Sequence, residues 1–498
     1  MDIDKGASSA ITLTSANHRH SSTNGASRET PPSNGQPNSS STRKIVAYRH
    51  VVAIHSQVRH SCLSRDTNNA PSFIGFRNLM VVGLVPVVAM NLRLVIENFL
   101  KYGVLICIKC HDYRKQDVVI GAILFVLVPC QLLCSYFIEL AASRHAARIV
   151  GQAKKKDQVF NESRRTWFFI ALLHSIISFS GLAGTSYAIY YYVNHPGIGT
   201  LCQIQVIIAS LKSYSYALTN RDLRRAMLGS PSTDFAIPEL YASCPYPSNI
   251  TFGNLTYFLL APTLVYQPVY PRTPRIRWSF VGKRLFEFCC LTVVIWLLSA
   301  QYAAPLLRNS TDKIASVDIG SILERGLKLS TISVVVWLAG FYAIFQSLLN
   351  ALAEIMRFGD REFYTDWWNS PSFGVYWRSW NRPVYTFMKR HVYMPLVTRG
   401  WNSTAAGTMV FTVSAVLHEI LVGVPTHNML GVAFVAMLAQ LPLILVTAPF
   451  EKLKTPLGKS IGNSFFWATF CFIGQPLGTL LYFFAWQAKY GSVSRINA

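Results

Sequence analysis

Long apolar runs separated by short polar stretches dominate the chain after about residue 75. Nine of these runs approach the roughly 20 residues that a helix needs to cross a bilayer. The first and fourth are the least regular, because the first carries Arg93, Glu97 and Lys101 and the fourth carries Lys212. The pattern predicts an all-α, polytopic membrane protein with about nine transmembrane helices, at 79–108, 118–140, 167–193, 200–218, 284–307, 331–356, 407–425, 429–450 and 464–487.

The loops between these runs differ in charge. With the N-terminus in the cytosol, loops 141–166, 219–283 and 357–406 are cytosolic, and each is rich in Lys and Arg. The opposite loops, 194–199 and 426–428, contain neither residue. This asymmetry follows the positive-inside rule. An odd number of spans then leaves the C-terminus in the lumen.

Residues 1–70 have a different composition, rich in Ser, Asn, Thr and Pro, and they contain no apolar segment typical of a signal peptide. Such a sequence cannot bury enough apolar surface to offset the entropy lost on ordering. We therefore predict a disordered cytosolic tail over residues 1–70 and a membrane-embedded domain over residues 75–490.

The composition agrees with a membrane protein. The chain of 498 residues is 51% hydrophobic and 14% charged, whereas soluble domains carry about 25% charged residues. A net charge of +23 is compatible with nucleic-acid binding, but the basic residues lie in loops between apolar runs and not on one soluble domain. We expect these charges to set topology and to face membrane lipids, with no nucleic acid as partner.

Ionisable groups are costly inside a bilayer, so those in the spans indicate function. His418 and Glu419 lie near the middle of the seventh span. The only other histidine well inside a span, His174, has no acidic or catalytic-looking neighbour in the sequence and is expected to pack between helices. A zinc helix needs a second histidine four residues after the first, and position 422 is Val. We predict no metal and no cofactor.

Three polar residues of the sixth span, Gln346, Asn350 and Glu354, recur every four residues and share one helical face. Gln475 adds a polar group in the ninth span. Such groups must point into the protein, where they either hydrogen-bond between helices or line a polar chamber. Together they suggest a reaction chamber inside the helix bundle.

The polar stretch before the seventh span contains many aromatic residues. Phe363-Tyr364-Thr365-Asp366-Trp367-Trp368-Asn369 is followed, at helical spacing, by a stripe of Phe373, Tyr376, Trp377 and Trp380. The stripe predicts an interfacial amphipathic helix that ends or kinks at Pro383, with core packing as the alternative. Aromatic rings and cations on a cytosolic surface also suit a nucleotide thioester, whose adenine stacks and whose phosphates need positive charge.

The FYxDWWN sequence at 363–369, followed about fifty residues later by the intramembrane His-Glu pair, resembles the membrane-bound O-acyltransferases that act on sterols and diacylglycerol. Within that branch, residues 358–364, 262–266, 271–277 and 474–476 are similar to the diacylglycerol enzymes. The resemblance covers about residues 75–490. Tyr385 and Arg378 depart from the animal sequences, which have His and Gln there.

The resemblance implies roles for individual residues. His418 corresponds to the catalytic histidine, a general base for the acceptor hydroxyl, with Asn381 close to the thioester and Glu419 in the same catalytic group. Met437, Gln440 and Gln475 match residues that line the acceptor side of the chamber. We expect acyl-CoA to contact the aromatic segment, through Phe363, Tyr364, Asp366, Trp367, Trp368, Asn369 and Trp380.

The resemblance also implies an activity, transfer of an acyl group from acyl-CoA to diacylglycerol in the endoplasmic reticulum membrane, by a homo-oligomer (a dimer or a tetramer). Direct transfer is expected, because no Ser or Cys is paired with His418 in the sequence. Two alternatives remain open at this point. They are a sterol acyltransferase and, in a different class, a polytopic lipid transporter that uses the same buried polar groups.

Overall fold

The computed structural model describes residues 53–64, 114–151, 156–228, 238–303, 319–453 and 455–471, with isolated positions between 78 and 103 and between 478 and 486. Within these residues the chain is almost entirely helical, and its only sheet is a parallel pair of two-residue strands, β1 (Arg59–His60) and β2 (Asp360–Arg361). The all-α fold class is confirmed.

Six described helices are long and apolar enough to cross a membrane: Lys115–Gly151, Thr166–Tyr192, Trp278–Tyr302, Ile332–Ile355, Ser403–Gly423 and Val432–Lys452. They confirm six of the nine predicted spans. Most of the predicted spans at 79–108 and 464–487 lies outside the described residues, as does Gln475.

The helices are numbered in chain order. We call the FYxDWWN sequence at 363–369 the signature sequence. The helices before it are α1 (Lys115–Leu127), α2 (Cys130–Gly151), α3 (Lys156–Tyr192), α4 (Pro196–Met227), α5 (Phe252–Leu260), α6 (Trp278–Leu298), α7 (Ile319–Phe341) and α8 (Leu349–Ile355). Those after it are α9 (Phe373–Ser379), α10 (Arg382–Met388), α11 (Met394–Thr398), α12 (Ser403–Gly423), α13 (Val432–Leu438), α14 (Gln440–Lys452) and α15 (Pro456–Thr469). Wider π-helical turns occupy Ser299–Ala303, Tyr342–Leu348 and Lys389–Tyr393.

The predicted fourth span is the helix α4, and its polar residues have a structural use. The Lys212 ammonium donates to the backbone oxygens of Phe258, Leu259 and Ala261, each at 2.8 Å. One turn further, the Ser215 hydroxyl accepts from the backbone N–H of Tyr266 at 2.9 Å. A buried ammonium is stable when all three of its protons are hydrogen-bonded. Helix α4 therefore presents a polar face that holds the end of α5 and the segment after it.

Residues 53–64, which we call the N-terminal strap, lie inside the segment predicted to be disordered, yet they are folded against the main domain. The strand β1 pairs with β2, and the Arg59 N–H donates to the Gly359 oxygen at 3.1 Å. The Ser61 hydroxyl accepts from the Phe363 N–H at 3.2 Å. The structure departs from the prediction here because partners about 300 residues away supply the contacts that the local composition lacks. Residues 1–52 lie outside the described residues.

Helix α15 packs closely against the segment that follows the signature sequence, and Gly462 makes this approach possible. A Cβ atom on Gly462 would lie 2.3 Å from the Pro371 oxygen and 2.7 Å from the Phe450 Cβ. The next residue, Asn463, donates from Nδ2 to the Trp368 and Ser370 oxygens at 2.8 and 3.0 Å. The missing side chain thus allows hydrogen bonds that hold the signature sequence to α15.

We predict that Gly462→Ala lowers the free energy of unfolding by about 1–3 kcal/mol, the usual cost of overpacking a filled site. Thermal unfolding of the purified protein in detergent measures this. Gly407→Ala is the matched control, because a Cβ on that helical glycine meets no atom within 4 Å. Equal unfolding temperatures for the two variants would contradict the packing argument.

Candidate active site

The signature loop, defined here as residues 358–369, is an aromatic core element. The side chains of Phe363, Tyr364, Trp367 and Trp368 are at most 2% exposed. The Trp367 ring meets Phe341 of α7 edge-on, with ring centroids 5.0 Å apart. Aromatic side chains contribute to stability by removing a large apolar area from water and by such edge-to-face contacts. The four rings therefore hold helices together.

The seven residues predicted to contact acyl-CoA differ in exposure. The rings of Phe363, Tyr364, Trp367 and Trp368 are buried among other side chains. Asp366 is exposed and Asn369 is half-buried, joined by a hydrogen bond of 3.2 Å from Asn369 Nδ2 to Asp366 Oδ2. Trp380 is also half-buried. Contact with acyl-CoA stays a prediction for all seven residues, and these three are the ones that a ligand reaches without a change in the core.

The aromatic stripe after the loop lies on the helix α9 and on Trp380, which directly follows it. The structure agrees with only part of what the stripe predicted. Phe373 and Tyr376 are buried in the same core as the signature rings, and the Trp380 ring stacks on Tyr376 at 5.8 Å with 6° between planes. Core packing, the alternative reading of the stripe, is therefore what the structure has, in place of an interfacial helix.

Helix α9 ends at Ser379, and Pro383 lies in the first turn of α10, where its fixed φ suits a helix start. The predicted break is confirmed.

The polar face of the sixth span does not line a chamber. Gln346 accepts from the Tyr364 hydroxyl at 2.5 Å and donates to Ser64 of the strap at 2.9 Å. Burial raises the pKa of Tyr364, so its hydroxyl keeps the proton that it donates. Asn350 donates to the Phe345 and Gln346 oxygens of the π-helical turn. These side chains hydrogen-bond within the fold, which corrects the chamber assignment.

Glu354, the third residue of that face, joins three segments. Its carboxylate accepts from the Arg277 guanidinium at 3.1 Å and forms a buried ion pair with Arg361 of β2. Buried carboxylates are stable when hydrogen-bonded cations surround them. Glu354 thus fixes the start of the signature loop to the end of α8.

The turn at Asn381 is fixed by this loop. The Thr365 N–H donates to the Ser379 oxygen and the Arg382 N–H donates to the Phe363 oxygen, both at 2.9 Å. Asn381 is the N-cap of α10, because its Oδ1 accepts from the Val384 N–H at 3.2 Å. Its amide nitrogen makes no hydrogen bond among the described residues. That nitrogen is a donor available to a ligand.

His418 lies on α12, half-buried, and its hydrogen bonding fixes its tautomer. Nδ1 lies 2.8 Å from the Ser414 backbone oxygen. A carbonyl oxygen only accepts, so Nδ1 carries the hydrogen and Nε2 carries the lone pair. Nε2 has no hydrogen-bond partner among the described residues. This is the arrangement that a general base requires.

The helices that carry Asn381 and His418 border the same apolar cluster. Val384 and Met388 of α10 share one apolar cluster with Val413 and Leu417 of α12. Asn381 lies one turn before Val384, and His418 directly follows Leu417. The two predicted catalytic residues therefore lie on helices that share one apolar cluster.

Glu419 lies next to His418 in the chain, and its catalytic role stays a prediction. Its buried carboxylate accepts from the N–H groups of Gly431 and Phe434 at 2.8 and 3.1 Å, and from the Tyr482 hydroxyl at 2.7 Å. These two N–H groups lie at the start of α13, where a negative charge is favourable. Both oxygens are occupied, so Glu419 positions α13 against α12.

The acceptor-side residues lie on the neighbouring helices. Met437 is buried on α13, and Gln440 is half-buried at the start of α14. Gln440 Oε1 accepts from the Trp377 indole N–H at 3.3 Å. The Trp377 ring meets Phe411 of α12 edge-on at 5.9 Å. Trp377 thus links α9, α12 and α14, a connection that the sequence pattern did not indicate.

His174 has an acidic partner that sequence reasoning missed. Its Nε2 lies 3.0 Å from Glu139 of α2, whose second oxygen accepts from Arg224 of α4 at 2.6 Å. The cluster is buried and joins three helices. The expected packing role agrees with this position, whereas the expected lack of an acidic neighbour holds only along the sequence.

The chain is similar in sequence to known proteins over most of its length. The chain is 36% identical to diacylglycerol O-acyltransferase 1C of Glycine max over 452 residues, which are 90% of this chain and 82% of the relative. It is 34% identical to diacylglycerol O-acyltransferase 1 of Arabidopsis thaliana over 454 residues, 90% of this chain and 80% of the relative. The protein of that name from Dictyostelium discoideum is 34% identical over 426 residues, 86% of this chain and 64% of the relative. Residues 121–484 match the family model of the membrane-bound O-acyltransferases, and the chain belongs to that family.

Proposed function

We propose that this protein transfers a fatty acyl group from acyl-CoA to the free hydroxyl of diacylglycerol, producing triacylglycerol and CoA. The observation that carries the proposal is the free lone pair on His418 Nε2, on an apolar helix that borders the same apolar cluster as α10, the helix capped by Asn381. The relatives named diacylglycerol O-acyltransferase support the choice of acceptor.

The reaction is one displacement at the thioester carbonyl. His418 Nε2 takes the proton of the acceptor hydroxyl as that oxygen attacks the carbonyl carbon. The new C–O bond forms, the C–S bond breaks, and the CoA sulfur takes the proton from the imidazolium. A general base of this kind contributes about 10²–10⁴-fold to the rate.

Asn381 stabilises the charge that develops on the carbonyl oxygen. Its Oδ1 is held by the Val384 N–H, and this bond orients the amide so that Nδ2 is left to donate. A fixed neutral donor of this kind favours the tetrahedral oxyanion over the ground-state carbonyl.

A covalent acyl-enzyme is not needed. The hydroxyl nearest His418 belongs to Ser414, and it lies 3.3 Å from Nδ1, the nitrogen that already carries a hydrogen. The Cys62 thiol of the strap is a poor nucleophile, because burial and the Asp366 carboxylate raise the pKa of Cys62 to about 12.

The substrates enter from different phases in this proposal. Acyl-CoA approaches from the cytosol along Asp366, Asn369 and Trp380, and diacylglycerol reaches the chamber through the bilayer beside Met437, Gln440 and Gln475. The acyltransferase domain spans residues 75–490 of a homo-oligomer (a dimer or a tetramer). It lies in the endoplasmic reticulum membrane with a cytosolic N-terminus and a lumenal C-terminus, the orientation that the basic loops favour.

We predict that His418→Ala lowers turnover at least about a hundredfold, the lower end of a general base's contribution. The variant should accumulate in the membrane and unfold at the wild-type temperature. His145→Ala, which removes another half-buried imidazole, is the control and should keep wild-type turnover. A purified His418→Ala protein with more than about a tenth of wild-type turnover would rule out the general-base role.

The acceptor is tested by competition. Purified protein receives labelled oleoyl-CoA with diacylglycerol and a sterol present at equal concentration in the same micelles. We expect the label chiefly in triacylglycerol. Label found chiefly in steryl ester would show that the acceptor is a sterol, and the acyltransferase activity itself would stand. No CoA release with either acceptor would favour a lipid transporter.

A further inference from the structure

The N-terminal strap contacts the signature loop through side chains as well as through its backbone. His55 Nδ1 lies 2.9 Å from Asp360 Oδ2 at the start of the signature loop, and its Nε2 lies 2.8 Å from the Thr263 hydroxyl. The His55 N–H donates to Gln267 at 2.8 Å. These bonds place the following residues of the strap, including Arg59, beside the signature loop.

Glu362 stands between the strap and the Asn381 turn. Its Oε2 accepts from the Arg382 guanidinium at 2.8 Å and lies 3.5 Å from Nη1 of Arg59. The Glu362 side chain is 23% exposed, that of Arg382 is 31% exposed and that of Arg59 is 37% exposed. One carboxylate thus bridges two arginines from segments far apart in the sequence.

Arg382 is held at two points by consecutive residues of the loop. Its guanidinium donates to Glu362, and its backbone N–H donates to the Phe363 oxygen at 2.9 Å. The residue directly before it is Asn381. The peptide between Asn381 and Arg382 is therefore fixed by the loop, and the direction of the Asn381 side chain depends on that peptide.

Packing alone does not hold these charges. A cavity of about 50 Å³ lies between the strap and the turn. Its lining includes the charged residues Arg59, Glu362 and Arg382, together with Pro383. Side chains beside a void lack the close contacts that fix a rotamer in a filled core. The orientation of Glu362 and Arg382 therefore depends on the ion pairs.

We propose that Glu362 is a positioning residue for acyl transfer. Held by Arg59 of the strap, it fixes Arg382 and so the orientation of the Asn381 amide toward the thioester. The inference rests on the proposed function, because it assigns the effect to the oxyanion donor. It also gives the strap a part in the chemistry, although no strap residue touches the reacting atoms.

The test measures kcat and KM for acyl-CoA together with the unfolding temperature of Glu362→Gln. Misplacement of a catalytic group by about 1 Å can cost up to a hundredfold in rate. We expect kcat to fall about tenfold, KM to change less than about twofold, and the unfolding temperature to stay at the wild-type value. A loss of kcat in proportion to lost stability, or no loss of kcat, would overturn the proposal.

A double-mutant cycle checks the route through the strap. If Arg59 acts through Glu362, the Arg59→Gln, Glu362→Gln double variant is no slower than Glu362→Gln alone. If the losses of kcat from the two substitutions add in the double variant, Arg59 does not act through Glu362 and the proposal is wrong. Glu362→Asp, which keeps the charge, should recover part of the lost kcat. The control is Glu451→Gln, which removes a more exposed carboxylate paired with Arg378 at 2.6 Å, and it should keep wild-type kcat.

The same preparations separate this inference from the proposed function. An active His418→Ala protein would refute the proposed mechanism whatever Glu362 does. An inactive His418→Ala protein beside a Glu362→Gln protein of wild-type kcat would refute the positioning role alone.

Discussion

The burial of the Trp367 and Trp368 rings is the interaction on which the candidate site depends. Both rings are 1% exposed. The Trp368 backbone oxygen accepts from Asn463 and from the Trp467 indole of α15. Burying two indoles removes a few hundred Å² from water, which is enough to hold an irregular loop in one place. The loop then fixes the Asn381 turn through two backbone hydrogen bonds, so an aromatic core sets the position of the amide that we propose as the oxyanion donor.

Features that depend on local sequence were predictable. Six spans follow from runs of apolar residues, because a helix in a bilayer must be apolar over its whole length. The helix break near Pro383 follows from the restricted backbone of proline. An imidazole in an apolar span is rare, which makes His418 conspicuous in the sequence, and its hydrogen bond to Ser414, one turn earlier, is also local.

Features that depend on distant partners were not predictable. The sequence shows that Gln346, Asn350 and Glu354 share a face, but not that Tyr364 and Arg361 occupy it. The strap has the composition of a disordered segment, and its partners are about 300 residues away. Glu419 follows His418 in the chain, yet adjacent residues on a helix point about 100° apart, and its carboxylate serves α13.

The most direct measurement of the central claim is an experimental structure of the purified protein with a non-reactive thioether analogue of acyl-CoA. We predict that the reacting end of the analogue lies within hydrogen-bonding distance of His418 Nε2 and Asn381 Nδ2, with the Trp367 and Trp368 rings still buried. An adenine stacked on either ring, or an analogue bound away from both His418 and Asn381, would contradict it.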